Sequence, residues 1–138
     1  MAKNTLLLLA VLTAGCAGAH DDPSVLTRND AIDDYIQVSE LKEIDAIRSR
    51  DQLNHRAVTE KYIIISDRKH EYLAAFARRC KELTNYEIKP DIRREANVLS
   101  ARFDTYRGCP IRSLYEISEG QAQEVMQIGE ALGQSAHE

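Results

Sequence analysis

Two cysteines, Cys80 and Cys109, stand 29 positions apart behind an N-terminal stretch that reads as an export signal, and their pairing constrains the fold more than any other feature. Export delivers a chain to a compartment where disulfides form and persist, so the two read as one bridge. Closing a loop of that length stabilises a fold by roughly 3.5 kcal/mol through lost chain entropy, a large share of the stability of a small domain. The rival reading, a metal site or catalytic thiol, needs further Cys or His at short spacing, as in C-x₂-C or H-x₃-H. His20, His55, His70 and His137 are isolated from both cysteines and from each other, so no metal site and no cofactor is expected.

The signal consists of Lys3 as its positive end, the apolar run Leu6 to Leu12, and Thr13-Ala14-Gly15 leading into Cys16. The run is shorter than the about 20 apolar residues a bilayer span requires. Small residues directly before a cysteine resemble the bacterial lipoprotein box, which implies that residues 1–15 are removed and Cys16 is lipidated. Ala17 follows it where an Asp commonly signals inner-membrane retention, so the resemblance implies an outer-membrane anchor facing the periplasm. The alternative is cleavage after Ala17-Gly18-Ala19, which discards Cys16 and releases a soluble periplasmic protein.

The chain has 138 residues, with 18 Lys plus Arg against 22 Asp plus Glu. Removing residues 1–15 takes away only Lys3, leaving 17 basic against 22 acidic. A body of roughly 120 residues buries about two-thirds of its unfolded surface, enough for one modest core and no multidomain machine. An acidic balance argues against a nucleic-acid partner, because phosphate binding needs a clustered basic excess.

Residues 16–28 are small, acidic and interrupted by Pro23, and read as a tether. A single domain is expected over 29–134, with a tail at 135–138. From Asn29, a candidate cap, to Val38 the apolar residues Ala31, Ile32, Tyr35 and Ile36 predict a short amphipathic helix. Strand-like stretches follow at Ile44, Ala46 and Ile47, at Ala57-Val58, and at Tyr62-Ile63-Ile64-Ile65. The polar segment Ser66-Asp67-Arg68-Lys69 reads as a hairpin loop into Glu71–Phe76, although Ala74, Ala75 and Ala77 leave a helix over 71–80 open. Lys89-Pro90-Asp91 marks a turn, and Val98–Tyr106 alternates as one strand with Leu99, Ala101, Phe103 and Thr105 on one side. Gly108 permits a tight turn before a last strand, Cys109–Ile117. Ser118 and Gln121 have capping-box spacing and open a helix with Val125, Ile128 and Leu132 on one face, ended by Gly133. The expected fold is α+β: a small antiparallel sheet with a short N-terminal and a C-terminal helix.

The order Tyr72-Leu73, Cys80, Leu83, Arg102-Phe103-Asp104 and Cys109-Pro110-Ile111, then a C-terminal helix, all behind a lipoprotein-type signal, resembles a family of small proteobacterial envelope proteins. That family has a domain of unknown function and one Cys pair, and the likeness covers residues 40–132. It implies an exported, commonly lipidated domain with no assigned activity.

Motifs for chemistry are scarce. Neither an elbow such as G-x-S-x-G nor a Gly-rich phosphate loop can be written with the six glycines present. Asp45, Asp67 and Asp104 are candidates for acid–base work, Asp104 foremost, which would make the protein a periplasmic hydrolase. The competing reading places Arg102 and Asp104 on the exposed face of a strand as cross-strand pairs. Asp21-Asp22 and Asp33-Asp34 lack a calcium-loop pattern and read as solvated surface. Arg78, Arg79 and Lys81 around Cys80, with Arg93-Arg94, form either a patch for anionic lipid headgroups or ordinary loop charges offset by Glu82, Glu87 and Glu95. The leading expectation is a non-catalytic binding module of the cell envelope, held to the membrane through Cys16, with an envelope protein or lipid as partner.

Overall fold

A computed structural model describes residues 23–81, 92–93 and 97–134. Cys16, the signal, the turn at Lys89-Pro90-Asp91, the acids Glu82, Glu87 and Glu95 and the tail 135–138 lie outside the described residues. The fold is α+β: helix α1 (Pro23–Val38), strands β1 (Lys42–Ile44), β2 (Ala46–Arg48), β3 (Asn54–Ala57), β4 (Tyr62–Ser66), β5 (Glu71–Phe76), β6 (Ile92–Arg93), β7 (Val98–Ser100), β8 (Thr105–Tyr106) and β9 (Cys109–Ile117), then helix α2 (Glu119–Gln134). The main sheet runs β3-β4-β5-β9-β8-β6, with β1 also on β9, and β2 pairs β7 in a separate ladder. All the pairings are antiparallel.

The central strands are those with unbroken apolar runs, because both sheet faces are covered. Along β4, Ile63 and Ile65 enter one core while Tyr62 and Ile64 enter the other. β5 divides likewise: Tyr72, Ala74 and Phe76 go to the first core, Leu73 and Ala75 to the second. This register with β4 makes residues 71–76 a strand despite the helix-favouring alanines, tertiary pairing overriding local propensity. The second core lies under the helices, where Ile32, Ala122 and Val125 are fully buried.

The first core lies inside a curl of the sheet. His55 in β3 and Tyr106 in β8 are four strand positions apart, about 19 Å on a flat sheet. Their ring centroids are 4.9 Å apart, so the sheet coils into an incomplete barrel. Ile47 of β2 and Leu99 of β7 face into this barrel and help to fill it. The Cys80–Cys109 disulfide, with both residues fully buried, ties the segment after β5 to the start of β9 at one end of the barrel.

On β9 the inward set changes parity. Cys109 and Ile111 face the first core, as does Leu114, because Ala75 pairs Ser113 while Phe76 pairs Ile111. The extra residue, Arg112, makes a β-bulge and flips the faces beyond it. The connection from β8 is a two-residue turn with Arg107 (φ 50°) and Gly108 (φ 78°) both left-handed, the type I′ geometry that suits a hairpin's twist. At the other end of β9 the expected capping box forms: Ser118 N donates to Gln121 Oε1 (2.9 Å) and Gln121 N to Ser118 Oγ (3.2 Å).

Four expectations are corrected. Helix α1 starts at Pro23, so residues 23–28 are helix and not tether; proline is well placed in a first turn, where its missing N–H has no intrahelical partner to lose. Asn29 is consequently inside the helix and is no cap: it is buried and accepts a hydrogen bond from Thr59 Oγ1 at 2.7 Å. Residues 98–106 are not one strand, because Arg102 adopts φ 70° and the chain turns between β7 and β8. Helix α2 also continues one residue past Gly133. The end of α1 is a Schellman motif, with Leu41 N bonded to Ile36 O, Glu40 N to Gln37 O, and Glu40 left-handed at φ 48°.

Candidate functional site

The turn 101–104 fills a gap on the edge of β9. β8 pairs Cys109 and Pro110 and β1 pairs Leu114 to Glu116, which leaves Ile111 between them with no strand on that side. The turn supplies the missing partners: Arg102 N donates to Ile111 O (2.7 Å) and Ile111 N to Asp104 O (3.2 Å). Asp104 closes the turn on itself, its N donating to Ser100 O (3.1 Å) and its Oδ2 accepting from Ser100 N (2.6 Å). Ala101 N donates to Asp45 O (2.9 Å), fixing the turn to the β1–β2 link as well. Left-handed backbone at a non-glycine residue costs about 1–3 kcal/mol and persists only when neighbours impose it; these bonds impose it at Arg102.

The turn's side chains separate. Ala101 points into the barrel, while Phe103 is 88% exposed. Arg102 reaches toward Glu43 at 3.8 Å. Beneath them lies an open depression of about 200 Å³ lined by Ile44, Ala46, Arg48 and Ser100 among others. The result is an aromatic ring held out on a rigid turn beside a shallow mixed-polarity groove.

The candidate acids do not gather at one place. Asp104 is the turn's hydrogen-bond acceptor, and it shares no strand face with Arg102, whose nearest acid is Glu43. Asp45 lines the groove beside Phe103. Asp67 caps the β4–β5 loop, accepting from Lys69 N and His70 N at 2.8 Å each, and lines a different depression with Glu71, Glu116 and Glu119. Burial pushes the Asp67 carboxyl up, but the two amides, the Ser49 hydroxyl and His70 together outweigh it and hold it below the usual range. Among the described residues no group of three or more His, Cys, Asp or Glu is placed to hold a metal ion.

A polar contact that the sequence does not announce closes the barrel. The Tyr106 hydroxyl hydrogen-bonds His55 Nδ1, and Phe76 stacks on Tyr106 with centroids 6.5 Å apart. Burial, reinforced by the Arg107 charge, lowers the His55 pKa, and burial raises that of Tyr106. The lowered pKa favours the neutral imidazole, and in the tautomer that leaves Nδ1 unprotonated the Tyr106 hydroxyl donates to it. His55 and Tyr106 are 51 positions apart, so no local pattern could have joined them. A second such contact fastens α1 to the sheet: Tyr62, fully buried, donates to Asp33, which Lys61 also approaches at 3.3 Å.

The basic residues around the bridge occupy the end of the barrel where β4 starts and β5 stops. Arg79 forks onto Glu60 with two contacts of 2.8 Å, while Arg78 and Lys81 are exposed. Arg107 lies over the Tyr106 ring at 5.9 Å, one turn residue from Cys109. Glu60, which the sequence did not single out, is thus one partner of Arg79.

Fold and site together define a small, disulfide-stapled α+β domain that presents an aromatic turn from the flank of an incomplete antiparallel barrel. Comparison with family models, with characterised proteins and with solved structures finds no match to this chain.

Proposed function

We propose that the protein is an exported, lipid-anchored binding module of the bacterial cell envelope, without catalysis of its own, and that the Phe103 turn makes its contact with an envelope partner. The observation that carries this reading is an 88% exposed phenylalanine on a turn held by backbone bonds to three different segments. A rigid aromatic offers large contact area at low entropic cost, the character of a binding anchor. The anchor reading is supported by the apolar run ending in Thr13-Ala14-Gly15-Cys16 and by the Cys80–Cys109 disulfide, which suits an oxidising compartment. Outer-membrane attachment facing the periplasm follows from Ala17 after the cysteine.

Two measurements test this. Intact mass of the protein made in cells should equal residues 16–138 plus a lipid group, and an unmodified chain from His20 would overturn the anchor. A photo-crosslinking side chain at position 103 should yield a discrete adduct that one at Val38, which is 84% exposed on α1, does not. Identical adducts from both positions would overturn the role of the turn.

A further inference from the structure

We infer that His55 is an acid-sensitive latch: protonation of its ring breaks the contact with Tyr106 that closes the barrel, and so frees the edge strand β3. The inference is independent of the reading of Phe103 and of lipidation at Cys16.

The sheet order makes this contact a closure. Among the described residues β3 is a terminal strand, laddered to β4 from Asn54 to Ala57. Beyond that ladder it is held by Leu53, packed on the first core, by Arg56, which meets Glu71 of β5 at 2.7 Å, and by His55. His55 is the one of these that reaches across the opening, to Tyr106 of β8.

The hydrogen bonds there have a fixed direction. Arg107 bonds the Tyr106 hydroxyl, and a guanidinium can only donate. The phenolic oxygen accepts from it and has one proton to give, which goes to His55 Nδ1. The chain from Arg107 through Tyr106 to His55 therefore needs Nδ1 unprotonated. A protonated ring carries N–H on both nitrogens and cannot accept. The Tyr106 oxygen would then face two donors, and its own proton would lose its acceptor. Tyr106 is buried, so water does not replace the lost partner.

The charges around His55 act in the same sense. Arg107 is the charge that bears on it, and the Nε of that arginine is itself buried without a partner among the described residues. A second cation beside it would be repelled with little screening. The acids of the neighbouring strands are engaged elsewhere: Asp67, after β4, accepts from Lys69 N, His70 N and the Ser49 hydroxyl, and Glu71 takes Arg56. Ile65 lies opposite His55 on β4 and Phe76 of β5 stacks on Tyr106, and neither can offset a charge. Burial and Arg107 hold the closed imidazole below its ordinary value of about 6.5, which a hydrated ring on a released strand regains. Acidification below that value favours release.

The test uses the protein purified from cells in mild detergent, whatever its N-terminus carries. NMR titration of the histidine ring protons, with the signal assigned by its loss in His55→Gln, should show native His55 titrating below about 6.5. Hydrogen exchange read by mass spectrometry, divided by the intrinsic rate at each pH, gives opening constants for residues 54–57 and for residues 111–116 of β9. The β3 segment should open more often than the β9 segment. Its opening should rise about tenfold for each pH unit of acidification between about 6.5 and the native titration point. In His55→Gln, whose amide oxygen accepts from Tyr106 without titrating, that rise should be absent. Arg107→Gln should move the native titration of His55 up toward 6.5 and shorten the range over which opening rises. Native titration at or above about 6.5, an equal rise in wild type and His55→Gln, or β3 opening no more often than β9 would overturn the inference.

Discussion

The same substitution at two glycines of α2 should move stability in opposite directions. Gly120 and Gly129 both lie in the helix, and replacing a helical glycine by alanine gains up to about 1 kcal/mol from backbone entropy and propensity. At Gly120 a Cβ would meet nothing closer than Ser118 Oγ at 3.9 Å, so the gain is realised, reduced toward about 0.5 kcal/mol because the position is in the first turn. At Gly129 a Cβ would fall 2.8 Å from Val58 Cγ1 and 3.1 Å from Val58 O. Neither atom yields readily. Valine is stiff at χ1, and the Val58 backbone is fixed by its N–H bond to Tyr62 O. Overpacking of this kind costs about 1–3 kcal/mol, which exceeds the propensity gain and leaves a net loss of about 1 kcal/mol. Arg28 Nη1, which bonds Gly129 O at 3.5 Å, would be displaced with the helix. Urea denaturation followed by circular dichroism, with m unchanged, should separate the two variants by about 1.5 kcal/mol. If Gly129→Ala were as stable as Gly120→Ala, the close approach of α2 to the β3–β4 turn would be refuted.

Removal of the bridge by Cys80→Ala with Cys109→Ala should cost roughly 3.5 kcal/mol and lower Tm by roughly 15 °C, read by calorimetry; a loss below about 1 kcal/mol would show that the pair does not constrain the unfolded chain. Because folding lowers the His55 pKa, the unfolded state binds the extra proton first: the neutral-histidine contribution is intact above about pH 6.5 and is lost as pH falls from there toward the folded value. Denaturation midpoints should therefore drop on acidification through that window, and His55→Gln should remove that component of the slope. Asp104→Ala should destabilise by about 1.5 kcal/mol through loss of the acceptor for Ser100 N, while Asp104→Asn restores most of it, a rescue that an acid–base role would not give. Phe103→Ser should leave stability within about 0.5 kcal/mol by thermal melting while abolishing the crosslinks made from that face.

What could be read from the sequence was whatever local chemistry decides. The hairpin around Asp67, the limits of β9, the Ser118–Gln121 box and the Arg107-Gly108 turn depend on residues within a few positions of one another. The bridge was legible because Cys80 and Cys109 are the two cysteines of the chain beyond residue 16, with no histidine at ligand spacing to compete for them. The misreadings have a common origin in contacts across long separations. Asn29 looks like a helix cap until Thr59, 30 positions away, takes its side chain into the interior. Residues 98–106 look like one strand until Ile111 draws the Arg102 and Asp104 backbones to itself. Period-two alternation carries no trace of either event, nor of the bulge at Arg112 that exchanges the two faces of β9.

That bulge also bears on why Phe103 is where it is. The edge of β9 is divided between β8 and β1, and Ile111 at the division has an N–H and a C=O to satisfy in a largely buried position. An unmet buried backbone group costs about 1–3 kcal/mol, so the fold requires a turn at this point, with backbone partners at Arg102 and Asp104. It makes no requirement of the residue between them. The side chain at 103 points to solvent, contributes no burial to either core, and would serve the turn equally well as serine or asparagine. A phenylalanine there adds exposed apolar surface without adding stability. Folding thus accounts for the turn and for Asp104 and makes no demand of the ring at 103, which is the surface the proposed contact would use.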